Sequence, residues 1–595
     1  MAYATPSTYE VPTLGNLTDD VVEAARERPA SVAFSRQIDG AWQDVTISEF
    51  RASVAAVAKG LIAARVGPGD RVALLSKTRY EWTLIDYAIW WVGAVTVPIY
   101  ETSSADQVKW ILSDSQALAC IVEDESHVAR VNASRAELDG LSHVWSIEGG
   151  AVATLSALGG DVEDAELESR RTGVTPDSLA TLLYTSGTTG RPKGCCLTHG
   201  NFMFELGVAT KTLADLFDTD DAATLLFLPL AHVFARVIQI GAIKSGARLG
   251  HTADVKDLLA SFAEFRPTFI LAVPRVFEKI FNSASQQAHA DGRGKIFDAA
   301  AETAIAYSRA QDSPKRVRPV LRAKHALFDR LVYSKLRAAL GGRTKYAIAG
   351  GAPLGERLAH FFRGIGVPVL EGYGLTETTA AITVNLPDQT KIGTVGRPIP
   401  GTEVRVGSDG ELLFRGGQVF AGYWKNDAAT SDALDADGWF HTGDVGEIDE
   451  EGFVKITGRK KEILVTAGGK NVAPAVLEDR IRAHALVSQC MVVGDGKPFI
   501  AALVTIDDEA FAGWLDNRGK SGEVSQFTRD PDLLAEIQTA IDDANSQVSK
   551  AESIRKFQIL PHDWSEAAGH ITPTLKLKRN VVLRDFHDEV ESLFV

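Results

Sequence analysis

Between about Thr46 and Val122 the apolar positions switch back and forth between two periods. Phe50 to Arg65 keeps them on one helical face, whereas Arg71 to Leu75 and Ala117 to Val122 are short aliphatic or β-branched runs of strand type. The rhythm resumes at Leu225 to Pro229, Thr268 to Val273 and Lys345 to Ala349, each run followed by Gly, Pro or polar turn residues. Strands alternating with helices bury their faces as parallel sheets with covering helices. From Arg275 to Arg343 the pattern is helical, charged and Ala-rich, which reads as a helical insertion. After Gly393 it changes to GTEVRV, ELLFRG and FVKITG, short strands joined by tight turns. Helical and strand periods mix again from Glu462, so a boundary is expected near Arg459 to Lys461. The predicted fold class is α/β. Residues 1–459 form a large N-terminal domain of parallel sheets with covering helices plus a β-rich subdomain, and residues 460–595 form a small α+β C-terminal domain.

A chain of 595 residues exceeds what one hydrophobic core organises, which agrees with that division. Two apolar stretches raise the question of membrane spans, Trp82 to Ile99 and Leu225 to Ile243. The first carries Asp86 and the second His232, Arg236 and Gln239, so both are expected as buried elements of a packed core. The balance of 62 Lys and Arg against 77 Asp and Glu gives a net charge of -15, which argues against nucleic acid as a partner and leaves any polyanionic ligand to a local basic site. Cys120, Cys195, Cys196 and Cys490 have neither zinc spacing nor the look of a disulfide framework, and MAYATPSTYEVPTLG has no signal-peptide pattern, so a reducing, cytoplasmic setting is expected. The basic cluster Lys315, Arg316, Arg318, Arg322 and Lys324 reads first as a solvated helix face, with peripheral membrane contact through acidic lipid as the alternative.

Candidate chemistry concentrates in separate runs. In YTSGTTGRPKG, Tyr184 to Gly194, the residues Gly187, Gly190 and Gly194 let backbone N–H groups turn toward an anion. Thr185, Ser186, Thr188 and Thr189 add hydroxyls, and Lys193 adds a point charge, so the run suits a nucleotide polyphosphate. Pro192 stands where a P-loop needs its second glycine, which disfavours an ordinary P-loop NTPase. In EGYGLTET, Glu371 to Thr378, the Tyr373 ring can stack on a purine, the Thr376 hydroxyl can donate to a phosphate oxygen, and Glu377 is the hard ligand that Mg²⁺ takes beside substrate phosphates. DGWFHTGDVG offers Asp444, whose carboxylate could accept from both hydroxyls of a ribose, although alone it reads as a turn aspartate. ITGRKKEILVTAGGKNVAP puts Arg459, able to bond ribose or phosphate, before a lysine-rich turn that could act as a hinge. TPTLKLKR alternates Leu575 and Leu577 with Lys576 and Lys578, a half-buried strand by period.

Together and in this order, these runs resemble the signature set of the adenylate-forming superfamily of acyl-CoA synthetases, luciferases and nonribosomal adenylation domains. Within it the chain looks most like the long-chain fatty acyl-CoA synthetases, with mycobacterial members closest. LPLAHVFAR from Leu228, VPRVFEKIF from Val273 and the long insertion before AIAGGAPLG carry that narrower likeness. One departure is Thr457 and Gly458, where many long-chain members have isoleucine and aspartate before the arginine.

The resemblance implies an AMP-forming long-chain fatty acid:CoA ligase that uses ATP, Mg²⁺ and CoA. A fatty acid would be converted to acyl-AMP with release of pyrophosphate, then to the CoA thioester. It implies Lys576 as the catalytic lysine, His232 beside the acid's carboxylate, Thr376 on the α-phosphate and Glu377 on Mg²⁺. It also implies Thr185, Ser186, Gly187, Thr188, Thr189 and Lys193 around the β and γ phosphates, Asp444 and Arg459 on the ribose, and Gly350, Gly351 and Tyr373 at the adenine. The C-terminal domain would swivel at Lys461 to bring Gly468, Gly469 and Lys470 to the CoA side. A long acyl chain needs shielding from water, and Val233, Phe234, Val237 and Phe277 are candidate tunnel walls whose plain alternative is core packing. Rival readings are a fatty acyl-AMP ligase that delivers to an acyl carrier protein and a non-catalytic fatty-acid or nucleotide-binding protein. Preferred chain length, and acetylation of Lys576 by a protein acetyltransferase, are left open by the sequence.

Overall fold

The computed structural model describes residues 2–185, 191–217, 221–253, 258–313, 316–572 and 576–595. A six-stranded sheet runs in the order His143–Ser146, Ala119–Val122, Arg71–Leu75, Val95–Ile99, Leu179–Thr185 and Lys193–Thr198, parallel except for its last pair. The helix expected from Phe50 to Arg65 forms as Ile47–Ala63. It starts where it does because Thr46 and Glu49 cap it reciprocally, the Glu49 N–H donating to Thr46 Oγ1 and the Thr46 N–H to Glu49 Oε2. A second sheet sets Phe269–Ala272, Tyr346–Ala349 and Val369–Tyr373 in parallel. The strands read at Thr268 to Val273 and Lys345 to Ala349 are therefore present within a residue or two. The helical insertion is also present, as Pro274–Ala290, Gly294–Gln311, Pro319–Phe328 and Ser334–Ala339. Arg316, Arg318, Arg322 and Lys324 are exposed at or near its third helix, and Lys315 lies outside the described residues.

The two apolar stretches pack against each other, and the charges that argued against spans explain how. Helix Tyr80–Trp91 is buried along nearly its whole length, and its Asp86 meets Arg236 of helix Val233–Ser245. Arg236 Nη2 donates to both Asp86 oxygens at 2.8 and 2.9 Å, Gln239 Nε2 adds a bond of 2.9 Å and Thr96 Oγ1 one of 2.7 Å. These bonds use both Asp86 oxygens and both Arg236 Nη groups, leaving Arg236 Nε without a partner, and offset much of the cost of a fully buried ion pair. No helix among the described residues is long and apolar enough to cross a membrane.

After the second sheet, Glu403–Val406, Glu411–Arg415, Phe440–Ile448 and Val454–Arg459 form an antiparallel sheet with the N-terminal Ala2–Ala4. The expected β-rich subdomain is this sheet. Beyond a short 3₁₀ turn, Lys460–Glu462, the chain builds separate apolar clusters around Val487–Val493, Ile500–Ile506 and Ile554–Ile559. The half-buried strand read in TPTLKLKR is corrected: among the described residues there is one bridge, Ile571 with Leu577, followed by helix Arg579–Asp585. Residues 573–575 lie outside the described residues; on either side of them the Lys576 N–H donates to Thr572 Oγ1 and the Thr572 N–H to the Lys576 carbonyl.

C-terminal and N-terminal parts meet across charged contacts. Arg275 pairs with Asp507 at 3.0 Å, and Arg357 Nη2 donates to the Ala483 carbonyl at 3.2 Å. Beside them Glu371, which accepts the Leu354 N–H at 2.9 Å, is pushed from an ordinary 4.5 up to about 7 by burial, with Asp479 and Glu356 adding repulsion. Burial likewise lifts Asp479, on helix Pro474–Arg482, to about 6. A carboxyl whose folded pKa is raised holds its proton better when folded, so its contribution is lost as pH rises from about 4.5 through about 7. Glu371→Gln, neutral at every pH, is expected to flatten that part of the curve of Tm against pH and to melt higher than wild type above it. A thermal shift series across that window checks this, and an unchanged slope would count against it.

Candidate active site

Thr185 and Lys193, at the two ends of the glycine- and threonine-rich run, face each other where strands Leu179–Thr185 and Lys193–Thr198 pair antiparallel. Ser186, Gly187, Thr188 and Thr189 lie outside the described residues. The base of the run is pinned on both sides. Trp110 Nε1 donates to the Pro192 carbonyl at 2.9 Å, the Arg191 guanidinium stacks on the Trp110 ring at 4.6 Å, and the Lys193 ammonium stands 5.1 Å from the Tyr423 ring centroid.

Strand Val369–Tyr373 delivers the second run to the same place and then turns sharply into Thr376–Thr378. Gly374 is required there, because a Cβ would sit 1.4 Å from the Ala380 carbonyl oxygen. The turn orients Glu377, whose Oε1 accepts from the Tyr423 hydroxyl at 2.8 Å, and Cys195 lies close enough for its thiol to donate to the same carboxylate. Tyr373 donates to Asp444 Oδ2 at 2.5 Å, and Arg459 Nε donates to Asp444 Oδ1 at 2.9 Å. Asp444 is not on a turn: it lies in strand Phe440–Ile448, in register with Arg459 of the neighbouring strand, and is buried. Each of its oxygens keeps a further lone pair for a hydroxyl donor.

These elements surround one cavity of about 750 Å³. At its polar end stand Thr185, Tyr373, Thr376, Glu377, Arg459 and Lys461. Gly350 and Gly351 line it too, the latter at φ +85°, which favours glycine. Lys576 enters from the C-terminal part and keeps solvent contact within the cavity. Its pKa is lowered, first by the surrounding protein and then by Arg459, while Asp444 and Glu377 act in the opposite sense. His232 caps helix Val233–Ser245, its Nδ1 accepting the Phe234 N–H at 3.2 Å, so in neutral form the ring carries its proton on Nε2. Burial, and next the nearby Lys576 ammonium, hold that histidine at a pKa of about 3.

The rest of the wall is largely apolar. Val233, Phe234 and Val237 line it, joined by Leu206 and Ala209 of helix His199–Thr212 and by Leu213 just past its end, which the sequence reading missed. Phe277 does not line it: it is 1% exposed and packs edge-on against Phe362, ring centroids 5.4 Å apart, which is core packing. Gly468, Gly469 and Lys470 also lie away from it, in the turn between Leu464–Val465 and Asn471–Val472, with Lys470 3.5 Å from Glu552. Tyr423, also in the wall, was missed, since nothing in its local sequence marks it; Lys578, named in the TPTLKLKR run but given no role there, lines the wall too.

Residues 21–424 match the family model of AMP-binding enzymes, and residues 461–595 match the C-terminal domain of such enzymes. The chain belongs to the AMP-binding enzyme family. This AMP-binding enzyme is 51% identical to the long-chain-fatty-acid–CoA ligase FadD15 of Mycobacterium bovis, over 99% of this chain and 98% of that one. It is 30% identical to the peroxisomal long chain acyl-CoA synthetase 7 of Arabidopsis thaliana, over 98% and 87% of the two chains. Among solved structures it is similar to o-succinylbenzoate CoA synthetase (MenE) of Bacillus subtilis in complex with ATP and magnesium ion, with a TM-score of 0.67 at 20% identity over 94% of this chain and 98% of that one. That last likeness bears on the fold alone.

Proposed function

We infer that this AMP-binding enzyme is an AMP-forming long-chain fatty acid:CoA ligase. The observation that carries the reading is the single cavity that joins Thr376, Glu377, Arg459, His232 and Lys576 to a long apolar wall. A fatty carboxylate cannot be attacked by a thiol directly, because oxide would have to leave. In the first step a carboxylate oxygen attacks the α-phosphorus of ATP, the bond to the bridging oxygen breaks and pyrophosphate departs. Lys576 supplies positive charge between the carboxylate and an α-phosphate oxygen, Thr376 donates to that phosphate, and His232 offers its Nε2 proton to the carboxylate without adding charge. Asp444 and Arg459 hold the ribose, Gly350, Gly351 and Tyr373 the adenine, and the run from Thr185 to Lys193 the outer phosphates. In the second step the CoA sulfur attacks the acyl carbonyl carbon and AMP leaves.

The site suits magnesium. Glu377 presents one carboxylate to the cavity, and Mg²⁺ is typically held by one or two carboxylates with substrate phosphates and water. Bound there with ATP, the ion would neutralise charge on the phosphates. Among the described residues no group of three metal-ligating side chains occurs, which agrees with an ion held largely by its nucleotide. The domain boundary is placed at Arg459 and Lys460, with the swivel at Lys461. In this arrangement Lys576 is in the cavity and the Gly468–Lys470 turn is outside, the disposition expected for adenylation.

The test is release of AMP and pyrophosphate with ATP, Mg²⁺ and acids from acetate to long saturated chains, with and without CoA. CoA-dependent turnover that peaks at long chains is expected. Adenylate that accumulates equally with and without CoA would point instead to a carrier-protein ligase, and no pyrophosphate with any acid would overturn the enzyme reading.

A further inference from the structure

The apolar part of the chamber contains a carboxyl group that the adenylation chemistry does not use. Glu205 is 2% exposed and lines the chamber on the same side of helix His199–Thr212 as Leu206 and Ala209. One side of its carboxyl is satisfied by the backbone N–H of Ala381, itself a wall residue. Its Oε2 has no hydrogen-bond partner, and among the described wall residues Glu205 is alone in having a buried side-chain polar atom so placed. The threonines beside it are satisfied, Thr210 Oγ1 by the Leu206 carbonyl at 2.7 Å and Thr212 Oγ1 by the Val208 carbonyl at 2.8 Å.

A buried oxygen without a partner costs free energy, and a ligand group that pairs with it removes that cost. No charged side chain offsets the burial of this carboxyl, which raises its pKa well above the ordinary range and favours the protonated form. It can therefore both donate to and accept from a neutral polar group. Its place along the chamber is also defined. The Ala381 Cα lies 3.0 Å from where a Cβ on Gly374 would sit, next to Tyr373, so the carboxyl lies toward the polar end, where the head of an acyl chain would rest.

We propose that Glu205 forms a polar subsite in the acyl chamber that recognises a hydroxyl or oxo group on the carboxyl-proximal carbons of the fatty acid. The inference rests on the reading of the cavity as an acyl chamber. It makes Glu205 a specificity residue: an acid with the matching group fills a bond that a plain chain leaves empty, and an apolar residue would erase the difference.

The experiment measures kcat/KM for pyrophosphate release with plain long-chain acids and with the same acids hydroxylated at the second, third, middle or terminal carbon. Wild type, Glu205→Gln and Glu205→Leu are compared, with Tm as a check on folding. The ratio of proximal-hydroxy to plain acid is expected to fall roughly five- to ten-fold in Glu205→Leu and to be largely kept in Glu205→Gln, whose amide still donates and accepts. Where Glu205→Leu does not fold, Glu205→Met, closer in shape, takes its place. The same ratio in the apolar variant as in wild type overturns the proposal, as does an equal change for hydroxyls at every position. Failure of wild type to turn over any plain chain would instead strike the ligase reading, so the two failures are separable.

Discussion

Lys576→Ala is expected to lower pyrophosphate release from ATP and a long-chain acid by roughly a hundred- to thousand-fold, the usual cost of removing one preorganised donor from developing charge. The same variant, given pre-formed acyl-AMP and CoA, is expected to make thioester at close to the wild-type rate, because in the proposed swivel that step takes the lysine out of the cavity. The geometry supports the split. Lys576 shares the cavity with His232, Glu377 and Arg459, and its electrostatic partners include Asp444 as well. Its pKa is lowered on balance, so its ammonium is held at a cost that alanine relieves, and stability should be unchanged or slightly raised. Lys576→Arg tests geometry as against charge: a planar fork on a differently shaped stem keeps the charge but does not place one compact ammonium between two oxygens. Quenched-flow measurement of the two half-reactions checks all of this, and equal loss in both would remove Lys576 from the adenylation step.

The sequence discloses what depends on local pattern. The strand at Arg71–Leu75 coincides with the expected one, because a short aliphatic run bounded by turns has few alternatives. The motif runs were legible for the same reason: glycines that turn a backbone and hydroxyls that face an anion work within a few residues of chain. What was missed depends on distant partners. Asp444 read as a turn residue, and only pairing with the Val454–Arg459 strand shows it held by Tyr373 on one oxygen and Arg459 on the other. Phe277 and Phe234 are equally apolar in sequence, yet one packs edge-on against Phe362 in the core and the other faces the cavity. Tyr423 became part of the site because its hydroxyl reaches Glu377 across 46 positions of sequence. Asp86 and Arg236 show the reverse: each was noticed as a charge in an apolar run, but that they would neutralise each other was not legible from either run alone.

Lys461→Pro is expected to slow thioester formation roughly a hundred-fold while leaving adenylation largely intact, if domain rotation gates the second step. Lys461 lies in the 3₁₀ turn Lys460–Glu462, and 3₁₀ backbone has φ of about −50 to −70°, a range that includes the value proline imposes. The substitution therefore suits the conformation in which Lys576 occupies the cavity and penalises any rotation that takes φ elsewhere. The Lys461 side chain is exposed, so little packing is lost. The N-terminal and C-terminal parts touch through ion pairs such as Arg275 with Asp507, and through Lys279, whose ammonium is 3.7 Å from Glu509, contacts that a rotation could break at modest cost. Bringing the Gly468–Lys470 turn to the cavity must in addition release Lys470 from Glu552 or carry that pair along. Single-turnover kinetics with ATP and acid, followed by a chase with CoA, separates the steps. Accumulation of acyl-AMP that CoA consumes slowly is the expected result, whereas parallel loss of both half-reactions would place the swivel elsewhere in the chain.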